Sequence, residues 1–249
     1  AVRLEQLRAQ VQAELDEDTS VAAGRALTKA RATQAAVPRY RPAAAYCAYV
    51  ALARGRRFGH RTDDETLAKQ LLVTASAGDP SDPLLLAGAA QDAWNGQLDK
   101  ARATVAELSQ RLPADIDVAI LAGEIELAAK APDKAVAAWK KAIAALGGKK
   151  SARASFGLAR ASILAADDAA AEVASRDTIA ASPQHVGARI LLASALWQNI
   201  ERENDAIEAL KKVTEDPAVR PSASDAELVE AYTLLGRIHL ARSRISAAE

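Results

Sequence analysis

Three histidines, one cysteine, and 32 acidic and 32 basic side chains are the reactive stock of this 249-residue chain. Metal chemistry would need ligands clustered at short, fixed spacings. His60, His185 and His239 lie far apart, and the chain has no HExxH and no CxxC. Phosphate-binding glycine loops and the nucleophile elbow are missing too, since no Walker loop, GxGxxG or GxSxG occurs. Cys47 stands among Tyr46, Ala48 and Tyr49, with no adjacent charge to favour a thiolate, so it reads as a packed core thiol. Carboxylates such as Asp133, Asp167 and Asp168 fall at helix starts, where they complement the positive end of the helix dipole. The residues therefore point away from an enzyme and require no cofactor or metal.

Binding chemistry is better represented. Between Thr19 and Thr62 there is no Asp or Glu, while Arg25, Lys29, Arg31, Arg39, Arg41, Arg54, Arg56, Arg57 and Arg61 all fall in that window. One reading is a solvated face with a flexible loop over Arg54–Arg61. The other is a basic docking edge, Arg54, Arg56, Arg57 and Arg61, for an acidic protein segment. Nucleic acid fits less well, because single-strand binders interleave aromatic platforms with their basic residues and this stretch does not. Of the three tryptophans, Trp139 occupies the bulky slot of its second helix and is expected to pack against the neighbouring repeat, whereas Trp94 and Trp197 sit late on helices that could face a partner.

The elements that position these groups come from helical periodicity. Val2, Leu4, Leu7, Val11 and Leu15 share one side of a helix over Val2–Leu15, followed by a partner over Val21–Ala36. Further helices are predicted over Arg41–Arg56, Asp64–Ala77, Pro83–Asn95, Leu98–Arg111, Ile116–Lys130, Asp133–Leu146, Ala152–Ala165, Asp168–Ala181, Val186–Asn199, Glu203–Thr214 and Asp225–Ala241. Thr62-x-x-Glu65 and Ser224-x-x-Glu227 have the form of capping boxes. Gly96, Pro113, Pro132, Gly147–Gly148 and Pro183 mark joints, where a helix interior would lose about 1 kcal/mol at Gly and about 3 kcal/mol at Pro.

These helices repeat in pairs. Ala26, Ala68, Ala101, Ala135, Ala171, Ala206 and Ala248 form a series with steps of 42, 33, 34, 36, 35 and 42 residues. Pro38, Pro80, Pro113, Gly147 and Pro183 each follow their alanine by 12 residues, and Pro217 follows Ala206 by 11. Alanine spacing alone is easily met in an alanine-rich chain, but a breaker locked to each alanine is not. Gly123 and Ala135 are the small residues expected where two helices approach closely.

A period near 34 with small residues in both helices and a terminal Pro resembles the tetratricopeptide repeat. The resemblance is strongest over Asp82–Leu210 and again at Tyr232-x-x-Leu235-Gly236-x-x-His239 followed by Ala248. The central unit departs from the pattern, with Ala119 at the usual Trp, Ala122 at the usual Leu and Glu126 at the usual Tyr; Ser175 replaces a bulky residue in its unit. The resemblance implies an all-α right-handed solenoid of about seven antiparallel hairpins, the last incomplete, in one domain spanning 1–249. The units are 1–39, 40–81, 82–115, 116–150, 151–184, 185–223 and 224–249. It also implies a concave groove lined by the first helix of each pair. That row comprises Asp117, Ile120, Glu124, Leu127, Phe156, Arg160, Ile163, Ile190, Ser194, Trp197 and Arg237. The Lys and Asn cluster by which chaperone-binding members clamp a carboxylate is absent, so the groove suits a helix or extended peptide with hydrophobic anchors.

The expected function is that of a non-enzymatic protein-binding scaffold. A rigid spacer within a larger envelope or secretion assembly is the alternative, with an RNA-binding solenoid behind it. The formal net charge is zero, which gives no global attraction to nucleic acid or membrane. The longest apolar run, Pro42–Ala53, is well short of the roughly 20 residues that cross a bilayer. Heavy alanine use has the compositional character of a GC-rich bacterial source. Compartment is left open among the cytoplasm, the periplasm and a lipoprotein anchor, and so are oligomeric state and partner identity. The chain has no Met and stops just past its last repeat alanine, so a longer natural chain is expected.

Overall fold

The computed structural model describes residues 2–59, 62–77 and 79–246. Within them the chain is a succession of helices with no strand: α1 (Val2–Leu15), α2 (Ser20–Ala36), α3 (Arg41–Phe58), α4 (Thr62–Ser76), α5 (Asp82–Trp94), α6 (Leu98–Arg111), α7 (Ile116–Ala128), α8 (Pro132–Ala145), α9 (Ala152–Leu164), α10 (Asp168–Ala181), α11 (Val186–Trp197), α12 (Glu203–Thr214) and α13 (Asp225–Ser246). Consecutive helices pair as α1/α2, α3/α4, α5/α6, α7/α8, α9/α10 and α11/α12, and α13 packs on α11 and α12. The helices gather into two compact units, Ala1–Lys149 and Lys150–Glu249.

The repeat can be followed in the local chemistry of each pair. First helices α5, α7, α9 and α11 are preceded by Ser81, Asp115, Ser151 and His185 at the N-cap. The Asp115 carboxylate accepts from the Asp117 and Val118 amides, the Ser151 hydroxyl from Ala154, and His185 Nδ1 from Ala188. Each bond satisfies an amide that the first helical turn leaves without a partner. In the three pairs α5/α6, α7/α8 and α9/α10 the turn closes through a left-handed residue, Gly96 at φ 78°, Lys130 at 53° and Ala166 at 55°. Around each, two amides reach back to helix carbonyls: Gly96 to Ala93 and Gln97 to Asp92, Lys130 to Leu127 and Ala131 to Glu126, Ala166 to Ile163 and Asp167 to Ser162. This is a Schellman ending, and it places the anchor alanine five residues past the left-handed residue every time.

Packing then follows from small residues. Ala26, Ala68, Ala101, Ala135, Ala171 and Ala206 are each wholly buried, so the anchors mark the helix crossings of every described pair. Gly123 on α7 lies under the Trp139 indole of α8: a Cβ there would come 2.5 Å from the ring. Gly55 on α3 receives the Trp94 ring in the same way, at 2.5 Å.

Boundaries agree with the sequence reading within a turn except at two places: α13 runs on without a break to Ser246, past its expected end at Ala241, and the basic stretch is helical. The stretch Arg54–Phe58 is the last turn of α3 rather than a loop, because Gly55 packs against Trp94 and three arginines find carboxylates. The second capping box forms as expected, the Ser224 amide donating to Glu227 Oε2 at 3.0 Å and the Glu227 amide to Ser224 Oγ at 3.3 Å. The repeat alanine Ala248 lies outside the described residues, as do His60 and Arg61 of the basic stretch.

Candidate partner-binding face

In the first unit, the expected groove residue Asp117 is fully buried at the start of α7. Its carboxylate accepts from the Tyr46 hydroxyl of α3 at 3.1 Å, from Arg8 of α1 at 3.0 Å and from Gln12 of α1 at 3.2 Å. The Tyr49 hydroxyl donates to the Asp117 carbonyl at 3.4 Å. Arg8 also meets the N-cap carboxylate of Asp115 at 2.7 Å and lies over the Tyr46 ring, 5.3 Å from its centroid. A buried carboxylate is tolerated because every neighbour supplies a donor. Burial alone would lower the Arg8 guanidinium's pKa, but Asp117 and Asp115 more than reverse this and raise it. Burial, aided by Asp117, likewise holds the Tyr46 phenol well above its ordinary value.

The neighbouring members of the row follow suit. Ile120 is buried, while Glu124 and Leu127 are half-buried. Arg56 of α3 reaches α7, donating to the Glu124 carbonyl at 3.2 Å with its guanidinium 4.0 Å from the Glu124 carboxylate. Side chains of α1 and α3 thus cross to α7 and meet Asp117 and Glu124 of the expected row.

The described arginines of the basic edge, Arg54, Arg56 and Arg57, are met by carboxylates within the same unit. Arg54 makes a two-pronged contact with Asp64, both distances 2.7 Å, and Arg57 meets Asp18 at 3.0 Å. Asp18 is buried in the α1–α2 turn with φ at 48°, a conformation that Asp tolerates better than most residues. The acid-free window of the sequence is therefore bracketed by the carboxylates that serve it, Asp18 just before it and Asp64 just after. Cys47 is completely buried, and burial pushes its thiol up to about 12, which makes it a packing group rather than a nucleophile at neutral pH.

The second unit presents its first helices differently. α9 and α11 carry Arg153, Arg160 and Arg189 and no Asp or Glu. Phe156 is buried with its ring 4.5 Å from that of His185, and Ile190 is buried beside it in the row. Arg160 lies 6.0 Å from the Phe156 centroid. Arg160, Ile163, Ser194 and Trp197 are all partly exposed. Arg237, exposed on α13, stands with its guanidinium carbon 5.2 Å from the centroid of the Trp197 ring. Of the expected row, the structure brings Trp197 and Arg237 together as one surface feature and buries Phe156 and Ile190.

Arg8, Gln12, Tyr46 and Tyr49 escape a reading of the sequence, because their partner lies about 70 to 110 positions away along the chain. Among the described residues no group of three or more His, Cys, Asp or Glu side chains could hold a metal ion, and no helix is long and apolar enough to cross a membrane.

Paired helices with buried anchor alanines and recurrent Schellman turns define an all-α solenoid fold of the tetratricopeptide-repeat type. No protein-family model matches the chain, and no curated protein does. The likeness is to solved structures. A chain of the Cut9–Hcn1 hetero-tetramer of the APC/C superposes with a TM-score of 0.64 at 16 % identity, over 87 % of this chain and 39 % of that one. A tetratricopeptide repeat protein from Parabacteroides merdae superposes with a TM-score of 0.54 at 18 % identity, over 98 % of this chain and 88 % of that one. The present chain thus spans well under half the length of the Cut9–Hcn1 chain it matches.

Proposed function

We propose that the protein is a non-enzymatic scaffold that binds a protein or peptide segment, and that the binding face is the first-helix row of the second unit. The observation that carries this reading is the half-exposed Trp197 with Arg237 stacked on it. Tryptophan and arginine are among the residues most enriched at the energetic centre of interfaces. Arg160, Ile163 and Ser194 flank it with both charge and apolar surface, which suits a segment bearing a hydrophobic anchor and acidic groups. The tetratricopeptide-type fold supports a role in protein interaction in general. The assembly named for the Cut9–Hcn1 structure is consistent with such a role.

The test is affinity capture from the cells that make the protein, using wild type, Trp197→Ala, Arg237→Ala and the exposed control Lys141→Ala. Loss of the same partner from both of the first two variants, with helicity unchanged by circular dichroism, is expected. Retention by Trp197→Ala of every partner that wild type holds would place binding elsewhere, and absence of any reproducible partner would favour the spacer reading.

A further inference from the structure

A cleft of about 480 Å³ opens between α2 and α4 of the first unit, over α3 and away from the first-helix row. Its floor is closed by charge pairing. Arg54 of α3 passes Gly24 of α2, where an added Cβ would lie 3.9 Å from Nη1, and grips the buried Asp64 of α4 with both contacts at 2.7 Å. The floor therefore adds no net charge.

The walls carry charge that no side chain answers. α2 contributes Leu27 and Arg31, and α4 contributes Asp63 and Leu67, each pair four residues apart and so on one helix face. Among the described residues, neither Arg31 nor Asp63 makes a side-chain hydrogen bond or an ion pair, although both line the cleft. Arg31 lies near enough to α3 for its charge to act on the Cys47 thiol, which burial raises and Arg31 lowers.

The repeat sets the distance between these charges. Ala26 and Ala68 are equivalent positions, and Arg31 stands five residues after the first while Asp63 stands five before the second. Arg54 fits the same register, since Gly24 and Asp64 lie two and four residues before their alanines. Arg31 and Asp63 are thus offset by ten residues, about 15 Å along the helices at 1.5 Å per residue, with Leu27 and Leu67 between them.

We propose that this cleft binds a short zwitterionic peptide, a dipeptide with free termini, whose carboxylate meets Arg31, whose ammonium meets Asp63 and whose apolar side chains lie over Leu27 and Leu67. A ligand of one charge would meet its own sign at one end of the cleft. An extended dipeptide spans about 7 Å, and a charge-assisted hydrogen bond of about 2.8 Å at each end extends its reach. The Arg31 side chain, inclined toward the start of its own helix, covers the rest. The volume is that of a small-molecule site. Both wall charges face water, so binding is weak, with dissociation at roughly 0.1–10 mM.

Titration of the purified chain with L-leucyl-L-leucine, followed by saturation-transfer NMR, tests it. The dipeptide should bind saturably in that range. Its N-acetylated, C-amidated form, which lacks both charges, should bind about tenfold more weakly, and so should free L-leucine, which is too short to reach both walls. Arg31→Gln and Asp63→Asn change exposed residues, so circular dichroism should show both folded, and each should weaken dipeptide binding about tenfold. Absence of saturation by roughly 50 mM, equal binding of the blocked form or of leucine, or unchanged binding in either variant would each overturn the proposal.

Discussion

The two units use the same pair of helices to opposite ends. In the first, the start of α7 is acidic, and arginine and tyrosine side chains of α1 and α3 cross to it, so that Asp117 ends buried with donors on all sides. In the second, α9 and α11 carry only basic charge, and the aromatic at the end of α11 is left half-exposed beside Arg237. The repeat fixes where a first-helix residue sits in its pair. Long side chains from other helices decide whether that position is closed or open. One repeat chemistry can therefore build a closed row and a partly exposed one in the same chain.

The largest expected difference between the units is at their central charges. Asp117→Ala leaves Arg8 and the Tyr46 hydroxyl without their acceptor in a buried setting and should cost about 3 kcal/mol, the lower end for a broken buried ion pair because Arg8 keeps Asp115. Arg237→Ala should change the melting temperature little, since it removes an exposed contact. Equal losses in thermal denaturation would erase the distinction between a closed and an open row.

Next in size are the helix crossings. Gly123→Leu or Ala135→Leu must displace Trp139 or its neighbours and should cost roughly 1–3 kcal/mol. Gly236→Ala has open space around it and should be neutral or slightly stabilising, because alanine is the better helix former. Thermal melts of these variants check both halves of the expectation, and a costly Gly236→Ala would mean that α13 is covered on that side.

Smaller still is relief at the turns. Lys130 and Ala166 adopt the left-handed conformation that Gly96 adopts without strain, at a cost of roughly 1–2 kcal/mol per non-glycine residue. Lys130→Gly in the first unit and Ala166→Gly in the second should each stabilise by up to about 1 kcal/mol, since glycine gives back part of the gain as chain entropy. Denaturant midpoints should rise for both.

The smallest effect is electrostatic. Burial acts to raise the Glu172 carboxyl, but hydrogen bonds from Arg176 and Arg202 outweigh it and hold the group below its ordinary 4.5. A depressed folded-state value stabilises above the unfolded value and is lost as pH falls through the folded one. Glu172→Gln should therefore lower the melting temperature slightly above pH 4.5, with the gap to wild type closing in more acid solution. A gap that widens on acidification would reverse the assigned sign.

Much of the fold was legible because it rests on local spacing. Ala101, Ala135 and Ala171, five residues past each left-handed turn, are visible in one dimension and are buried in three. Gly123 was legible as a point of close approach but its partner was not, since Trp139, expected against the neighbouring repeat, lies on Gly123 of its own pair. The closed and open rows could not be told apart, because that depends on contacts such as Tyr46 with Asp117, separated by 71 residues. The arginine window misled for the same reason. Charge balance is a property of space, and Asp18, Asp64 and Glu124 enter that space from outside the window. The division at Lys149–Lys150 left only Gly147–Gly148 as a trace, and such glycines also end ordinary hairpins.

The central claim is that the first-helix row is closed in the first unit and open to a partner in the second. A photoreactive phenylalanine analogue placed at position 197 in one variant and at position 124 in another, and irradiated in cells that make the protein, tests it most directly. The account predicts an intermolecular crosslink to a partner protein from position 197, and only intramolecular products from position 124, where the Arg56 side chain of α3 reaches α7. Partner crosslinks from position 124, with none from position 197, would contradict it.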